Sequence, residues 1–429
     1  MTSDSLTNAR WWRDEPVLQR VVVDLLAGEM ALMRPGVRLL AQPWPTELDL
    51  RADLGADSLD LMGLATAMET VLRLRRPAAG DDAAPLASTR LQDWVAAARS
   101  GLDADGSALT FRTSGSSGAP KPCTHAVAAL WQETLELAGL FPDRRRIVSL
   151  VPSHHIYGFL FTVLLPRRLG LGAADVVDLR GVAPGAVAAG LRTGDLVVGF
   201  PDFWRGFAQQ TRTAILGNIV GVTSTAPCPD DVARGAVDAG LARLVQVYGS
   251  SETAGVGWRD RPEEDYTLFG YWQRAQEADR MERSMPDGQR QSYPLQDRLD
   301  WSDAQHFRPA GRVDQAVQVG GINVFPNYVA DVLRLHPQVA DASVRLMRAD
   351  EGHRLKAFVV QRQTTVQSAA QADAPVLDAA QADALRTELH AWLGERLSAA
   401  ECPAAISFGP ALPRGASGKL ADWIIDACL

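Results

Sequence analysis

The hydrophobic period of this chain changes part-way along it, and that change restricts the fold more than any other feature. From Glu15 to Met33, apolar residues (Val17, Leu18, Val21, Leu25, Leu26) recur at helical spacing, and Pro16 suits a first turn. Leu61, Leu64, Met68 and Leu72 mark a second helix with Asp57 or Ser58 as its cap, and residues 91–98 a third. A Gly- and Asp-containing stretch at residues 101–106 suggests a boundary. Beyond it, short β-prone runs at residues 147–151, 195–199, 218–222 and 244–248 alternate with helical ones, as in an α/β layer. A second boundary is expected near residues 311–314, followed by strands at 315–319 and 356–361. Residues 362–384, rich in Gln, Ala and Asp, predict a surface loop before a helix carrying Leu385, Leu389, Leu393 and Leu397. The expected division is therefore 1–104 helical, 105–311 α/β and 312–429 a small α+β domain.

Composition narrows the function classes. A formal charge of −8 argues against a nucleic-acid-binding surface, and Arg144, Arg145 and Arg146 fit a solvated turn. No apolar run approaches the ~18 residues that span a bilayer, and the first residues lack a secretory pattern, so a cytoplasmic protein without a membrane span is expected. Cys123, Cys228, Cys402 and Cys428 form no CxxC pair and are expected to be free thiols.

The densest chemical signal is Thr113-Ser114-Gly115-Ser116-Ser117-Gly118-Ala119-Pro120-Lys121. Small residues admit backbone N–H groups to an anion, hydroxyls add donors, and Lys121 supplies a point charge, so the run suits phosphates. Its composition also suits a flexible linker. The Gly-Lys-Ser/Thr order of a kinase-type P-loop is absent.

Other segments follow in order: His154-His155-Ile156-Tyr157-Gly158-Phe159, Tyr248-Gly249-Ser250-Ser251-Glu252, Gly311-Arg312-Val313-Asp314, Gly320-Gly321-Ile322-Asn323-Val324 and Pro413-Arg414-Gly415-Ala416-Ser417-Gly418-Lys419. Together with the Ser/Gly run they resemble the core motifs of the adenylate-forming superfamily, which includes acyl- and aryl-CoA ligases, luciferases and peptide-synthetase adenylation domains. The resemblance implies an α/β ligase core with a mobile C-terminal domain, and a reaction in which ATP and Mg2+ convert a carboxylic acid to its acyl-AMP before a thiol takes the acyl group. That chemistry needs cations, because a carboxylate brought within ~4 Å of a phosphate meets a repulsion of about 4 kcal/mol at an effective dielectric near 20.

By the same resemblance Glu252 is the magnesium ligand, Lys419 the catalytic lysine, and Thr113 to Gly118, Lys121 and Tyr248 to Ser251 line the ATP site. Arg312 and Asp297 grip the ribose, with Asp300 as the alternative carboxylate, since Leu295-Gln296-Asp297 replaces the usual Thr-Gly-Asp. Asp314 is the hinge, and Gly320 and Gly321 face the thiol. Ser251 stands for a usual threonine, Gln318 for a lysine and Asn327 for a glutamate. His155 falls where aryl-acid members place a pocket histidine, so an aromatic acid, hydroxybenzoate-like, is expected as substrate.

The N-terminal segment Asp53-Leu54-Gly55-Ala56-Asp57-Ser58-Leu59-Asp60-Leu61-Met62 resembles the attachment motif of acyl carrier proteins, which implies a carrier-like helical bundle and phosphopantetheine on Ser58, added by a phosphopantetheinyl transferase. That likeness favours an acyl carrier protein as acceptor. The alternatives are free CoA, and a non-catalytic docking protein with a decayed ligase fold. A compact ligase of this kind looks like the starter-acid ligases of aryl polyene pigment pathways.

Overall fold

The computed structural model describes residues 9–34, 37, 40–74, 88–113, 121–211, 217–277, 279–313, 316–348, 350–362, 379–414 and 420–425. The chain forms two compact units, one of residues 1–113 and 122–311, the other of residues 114–121 and 312–429.

The first unit begins with three helices, α1 (Glu15–Met33), α2 (Ser58–Val71) and α3 (Leu91–Asp105). α1 has Pro at its start and buries the predicted stripe. Asp57 caps α2 in a reciprocal box with Asp60, each side chain accepting a backbone N–H at the other's position. A hairpin of β1 (Ala108–Thr113) and β2 (Lys121–Ala126) leads to α4 (Val127–Leu140).

Among the described residues the largest sheet has nine strands, in the order β13-β14-β9-β8-β7-β6-β5-β3-β4. Its parallel half comprises β3 (Arg146–Ser149), β4 (Val176–Asp178), β5 (Asp195–Gly199), β6 (Val220–Thr223) and β7 (Arg243–Ser250). Both β5 and β6 are buried along their whole length, which explains why they read as continuous apolar runs without alternation. The crossover helices are α5 (Ile156–Phe159, running on through a π-helical Leu160–Leu164 into Leu165–Arg168), α6 (Pro184–Ala189), α7 (Pro201–Gln210) and α8 (Asp230–Asp238). β8 (Ala254–Arg259) and β9 (Tyr266–Leu268) continue the sheet antiparallel, and β13 (Asp297–Trp301) and β14 (His306–Arg312) form its edge. A separate three-stranded sheet holds β10 (Trp272–Arg274), β11 (Arg280–Ser284) and β12 (Arg290–Pro294).

The boundary expected at residues 101–106 is not where the chain divides. α3 runs through it, and Leu18, Leu26, Leu64, Trp94 and Leu102 belong to the same buried cluster as Phe111, Leu130, Phe159 and Val222. The three helices bury their apolar faces against the large sheet's own core, so residues 1–104 are not a free-standing bundle. The two units divide after Gly311.

In the second unit, β15 (Val317–Val319) and β16 (Ile322–Val324) form a hairpin whose two-residue turn, Gly320-Gly321, has φ of 58° and 81°. A type I′ two-residue turn, whose twist matches that of the strands, has positive φ at both positions, which glycine adopts freely. α9 (Pro326–Arg334) and α10 (Ala379–Gly394) belong with the sheet of β17 (Val339–Leu346), β18 (Leu355–Gln361) and β19 (Ala405–Gly409). Val329, Leu333, Ala357, Leu389, Leu393 and Ile406 form its core. The helix predicted on Leu385, Leu389, Leu393 and Leu397 spans Ala379–Gly394, beginning within the stretch expected to be loop and ending before Leu397.

Candidate active site

In a parallel sheet the C-terminal strand ends open onto the crevice where α/β proteins bind ligands. The His motif and the Tyr248 motif both meet this sheet there. Tyr157 is buried at the start of α5, and its hydroxyl donates between the carbonyls of Gly199 (2.9 Å) and Val222 (3.0 Å), at the ends of β5 and β6. His154 and His155 precede it with ring centroids 4.3 Å apart. The His155 ring is open to solvent but walled by protein; this partial desolvation, with Arg180 nearby, lowers its pKa against the pull of Asp24. Burial, then His155 and Arg180, push His154 well below its ordinary value, so it is neutral near pH 7.

Beneath this loop lies a charge network that the sequence reading missed. Asp24 of α1, 2% exposed, accepts from the Ser153 backbone N–H at 2.7 Å, from the Ser153 hydroxyl at 2.5 Å and from Arg180 at 2.5 Å. Arg180 also pairs with Asp178 and donates to Gln42 at 2.7 Å. α1 comes so close that a Cβ on Gly28 would meet the His154 ring at 2.8 Å. The only sequence signal was an aspartate inside an apolar helical stripe.

The Tyr248 motif ends β7 and turns into β8. The pairing shifts register between Tyr248 and Gly249, and a Cβ on Gly249 would lie 2.2 Å from the Ala254 carbonyl oxygen. Tyr248 donates to Asp297 at 2.7 Å, so these two predicted residues are brought together. Asp300, the alternative, is exposed on the same strand. Tyr248 also packs on Tyr266 and Phe307, with centroids at 5.7 and 5.3 Å. The turn is cross-braced: the Glu252 N–H donates to the Ser250 hydroxyl at 3.2 Å, and the Ser250 N–H to the Thr253 hydroxyl at 3.1 Å.

Buried groups the sequence reading did not single out hold this turn. His125 places Nε2 2.6 Å from the Ser251 carbonyl; burial lowers its pKa, so the neutral ring donates from Nε2. Glu133 of α4 accepts from the Gly255 N–H at 3.0 Å, and burial raises its pKa to about 7 despite Arg283, whose guanidinium lies 4.0 Å from its other oxygen. A glutamate between Leu130 and Leu137 on an apolar helix face was the available signal.

Several predicted residues lie outside the described ones: Ser114, Gly115, Ser116, Ser117, Gly118, Asp314 and Lys419. Thr113 ends β1 and Lys121 opens β2, so the Ser/Gly run joins the two strands of that hairpin. Arg312 is the last residue of β14. In the second unit the chain just after Lys419 is anchored. Pro413 accepts from the Ala421 N–H at 2.9 Å, Arg414 bridges Leu420, and fully buried Lys356 binds the Trp423 carbonyl (2.6 Å), Glu351 (2.7 Å) and Asp422 (3.0 Å).

Among the described residues no three His, Cys, Asp or Glu side chains cluster as a metal cage. Half-buried Glu252 standing alone suits Mg2+, which keeps waters and substrate phosphate oxygens as most of its ligands. Ser58 opens α2, exposed, its hydroxyl accepting from Arg51 at 3.0 Å. No helix among the described residues is long and apolar enough to cross a membrane.

The AMP-binding enzyme family matches residues 50–276, and the AMP-binding enzyme C-terminal domain matches residues 328–419. The chain belongs to this adenylate-forming family. It is an ATP-dependent, AMP-forming ligase with the family's large sheet and C-terminal domain. It is 37% identical to the 4-coumarate–CoA ligase of Halorhodospira halophila over 94% of this chain and 97% of that protein. It is 36% identical to that of Cereibacter sphaeroides over 96% and 97%. Among solved structures, the o-succinylbenzoate CoA synthetase of Bacillus subtilis is similar in fold, with TM-score 0.56 and 18% identity over 73% of this chain and 67% of that one. The amide bond synthetase McbA of Marinactinospora thermotolerans has TM-score 0.54 and 18% identity over 94% and 92%. The family match begins at residue 50, so the carrier-like segment around Ser58 falls inside the AMP-binding region.

Proposed function

We propose that this AMP-binding enzyme is an aryl-CoA ligase acting on a hydroxyaryl carboxylic acid of the 4-coumarate type. The observation that carries the proposal is the likeness, over nearly the whole length of both chains, to two 4-coumarate–CoA ligases. The acid's carboxylate attacks the α-phosphorus of ATP, giving acyl-AMP and pyrophosphate; the CoA thiol then attacks the acyl carbonyl, AMP leaves, and the thiol proton goes to solvent.

In this reading Mg2+ supplies charge neutralisation for the phosphates. The backbone and hydroxyls of residues 113–118 with Lys121 cradle the phosphates, Glu252 takes the metal, and Asp297, fixed by Tyr248, accepts from a ribose hydroxyl that Arg312 also binds. Lys419 offsets the repulsion between the two reacting anions. Asp314 is the hinge for exchanging Lys419 against the Gly320–Gly321 turn between half-reactions. His155, accessible above the ends of β5 and β6, meets the acid. CoA replaces the carrier protein as preferred acceptor, because residues 53–62 lie in the ligase's own compact unit and the named relatives are CoA ligases. Ser58 then needs no phosphopantetheine.

The test is acid-dependent exchange of labelled pyrophosphate into ATP across aryl and alkyl acids, followed by thioester formation with CoA or a holo carrier protein. Aryl-dependent exchange and faster transfer to CoA are expected. No exchange with any aryl acid, or a preference for the carrier protein, would overturn the reading.

A further inference from the structure

The turn between β7 and β8 is gripped at the backbone of Ser251, Thr253 and Gly255 by side chains far apart in sequence. His125 donates to the carbonyl of Ser251 at 2.6 Å. Arg283, with no exposed surface, donates to the carbonyls of Thr253 (3.4 Å) and Ala129 (2.6 Å) and stacks on the Tyr271 ring at 4.3 Å. Glu133 accepts from the Gly255 N–H, and Tyr271 and Trp272 donate to the Gly255 carbonyl at 3.0 and 2.7 Å. A Cβ on Gly255 would stand 2.4 Å from the Glu133 carboxylate, so only glycine admits this approach.

The turn needs such support. Ala254 has φ of 60°, a left-handed conformation that persists in a non-glycine residue only where its surroundings over-determine it. Neither Glu133 nor Arg283 fits a role in generic packing: one Glu133 oxygen and the Arg283 Nε have no hydrogen-bond partner, so the pair bears a desolvation cost that an apolar pair would avoid. What both touch is the backbone on the C-terminal side of Glu252.

We propose that Glu133, Arg283 and His125 are positioning residues that lock the turn at residues 250–255 into the backbone shape presenting Glu252 to magnesium. The proposal rests on the reading of Glu252 as the metal carboxylate. The grip acts on backbone, so it fixes the direction of the Glu252 side chain without touching nucleotide or metal, as outer partners of metal ligands do.

The experiment measures half-saturating Mg2+ in two ways: by the rise in Tm that Mg2+ produces with ATP present, and by acid-dependent pyrophosphate exchange. Glu133→Ala and Arg283→Met are expected to raise the half-saturating Mg2+ about tenfold, the range typical for lost outer-shell support. Glu133→Gln, which keeps an acceptor for the Gly255 N–H, should stay close to the parent. Tyr271→Phe, which removes one hydrogen bond to Gly255, should raise it less than Glu133→Ala, and serves if the larger changes prevent folding. Leu26→Ala should lower Tm without moving the Mg2+ dependence, separating positioning from general destabilisation. A parental Mg2+ dependence in Glu133→Ala, Arg283→Met or Tyr271→Phe, alongside a raised one in Glu252→Gln, would overturn the clamp alone. An unmoved dependence in Glu252→Gln would overturn the Glu252 reading and the clamp with it.

Discussion

Replacing Asp24 by Asn tests whether the N-terminal helices are part of the ligase or an appended bundle. Asp24 is 2% exposed and receives two bonds from Ser153 and one from Arg180. An Asn side chain keeps one acceptor oxygen but turns an NH2 toward a donor, leaving either Arg180 or the Ser153 N–H facing a donor. Breaking a buried ion pair by removing one partner costs about 3–5 kcal/mol. The low end applies, because Arg180 is 24% exposed and keeps Asp178. A loss of about 3 kcal/mol corresponds to a fall in Tm of roughly 5 °C for a unit of about 300 residues. Because α1 shares the sheet's core, the whole first unit should unfold in that shifted transition, and the KM for the acid should rise as the His154–His155 loop loosens. Calorimetry of Asp24→Asn, Arg180→Met and the double variant provides the measurement. The double variant should recover part of the summed losses, with a coupling of about 1–3 kcal/mol. A loss under about 1 kcal/mol, or strict additivity of the two changes, would refute the argument.

Glu133 has a folded pKa of about 7 against an ordinary 4.5. Between those values the native state holds a proton that the unfolded chain has released, so this group's stabilisation is complete below pH 4.5 and lost as pH rises to about 7. It amounts to about 3 kcal/mol, and Glu133→Gln should remove that slope from a Tm profile over pH 5–8. Tyr248→Phe deletes the donor to Asp297 and should raise the KM for ATP about tenfold with the acid's KM unchanged, read by steady-state kinetics. Lys356→Met removes the ammonium from Glu351 and Asp422, which keep Arg348, and leaves the Trp423 carbonyl without its donor; a lower Tm and faster tryptic cleavage within residues 414–425 are expected. Ser58→Ala should keep CoA-ligase activity, and the parent treated with a phosphopantetheinyl transferase should gain no mass.

Local signals in this chain were legible because their causes are local. The helix over Glu15–Met33, the cap expected at Asp57 or Ser58 and found at Asp57, and the strand over Asp195–Gly199 each depend on residues within a few positions of one another, and the structure reproduces them; Gly320-Gly321, expected within a strand, forms a turn instead. The ordered motifs likewise identified an AMP-forming ligase, because phosphate and metal chemistry accepts few residue types. What covers a helix is not local. The apolar stripe of α1 reads the same whether it faces two sister helices or a nine-stranded sheet, so residues 1–104 read as a separate bundle until packing placed them in one core.

The buried ionic partners were illegible for the same reason. Asp24 meets Arg180 across 156 positions, and Glu133 lies 122 from the Gly255 N–H it accepts. A lone charge in an apolar stripe announces that burial must be compensated, yet its partner is chosen by which distant strand or loop the fold delivers to that spot. Sequence alone determined the elements and the class of chemistry. Tertiary structure decided which charges meet beneath the two motif turns, since only a closed core removes the water that would otherwise satisfy them.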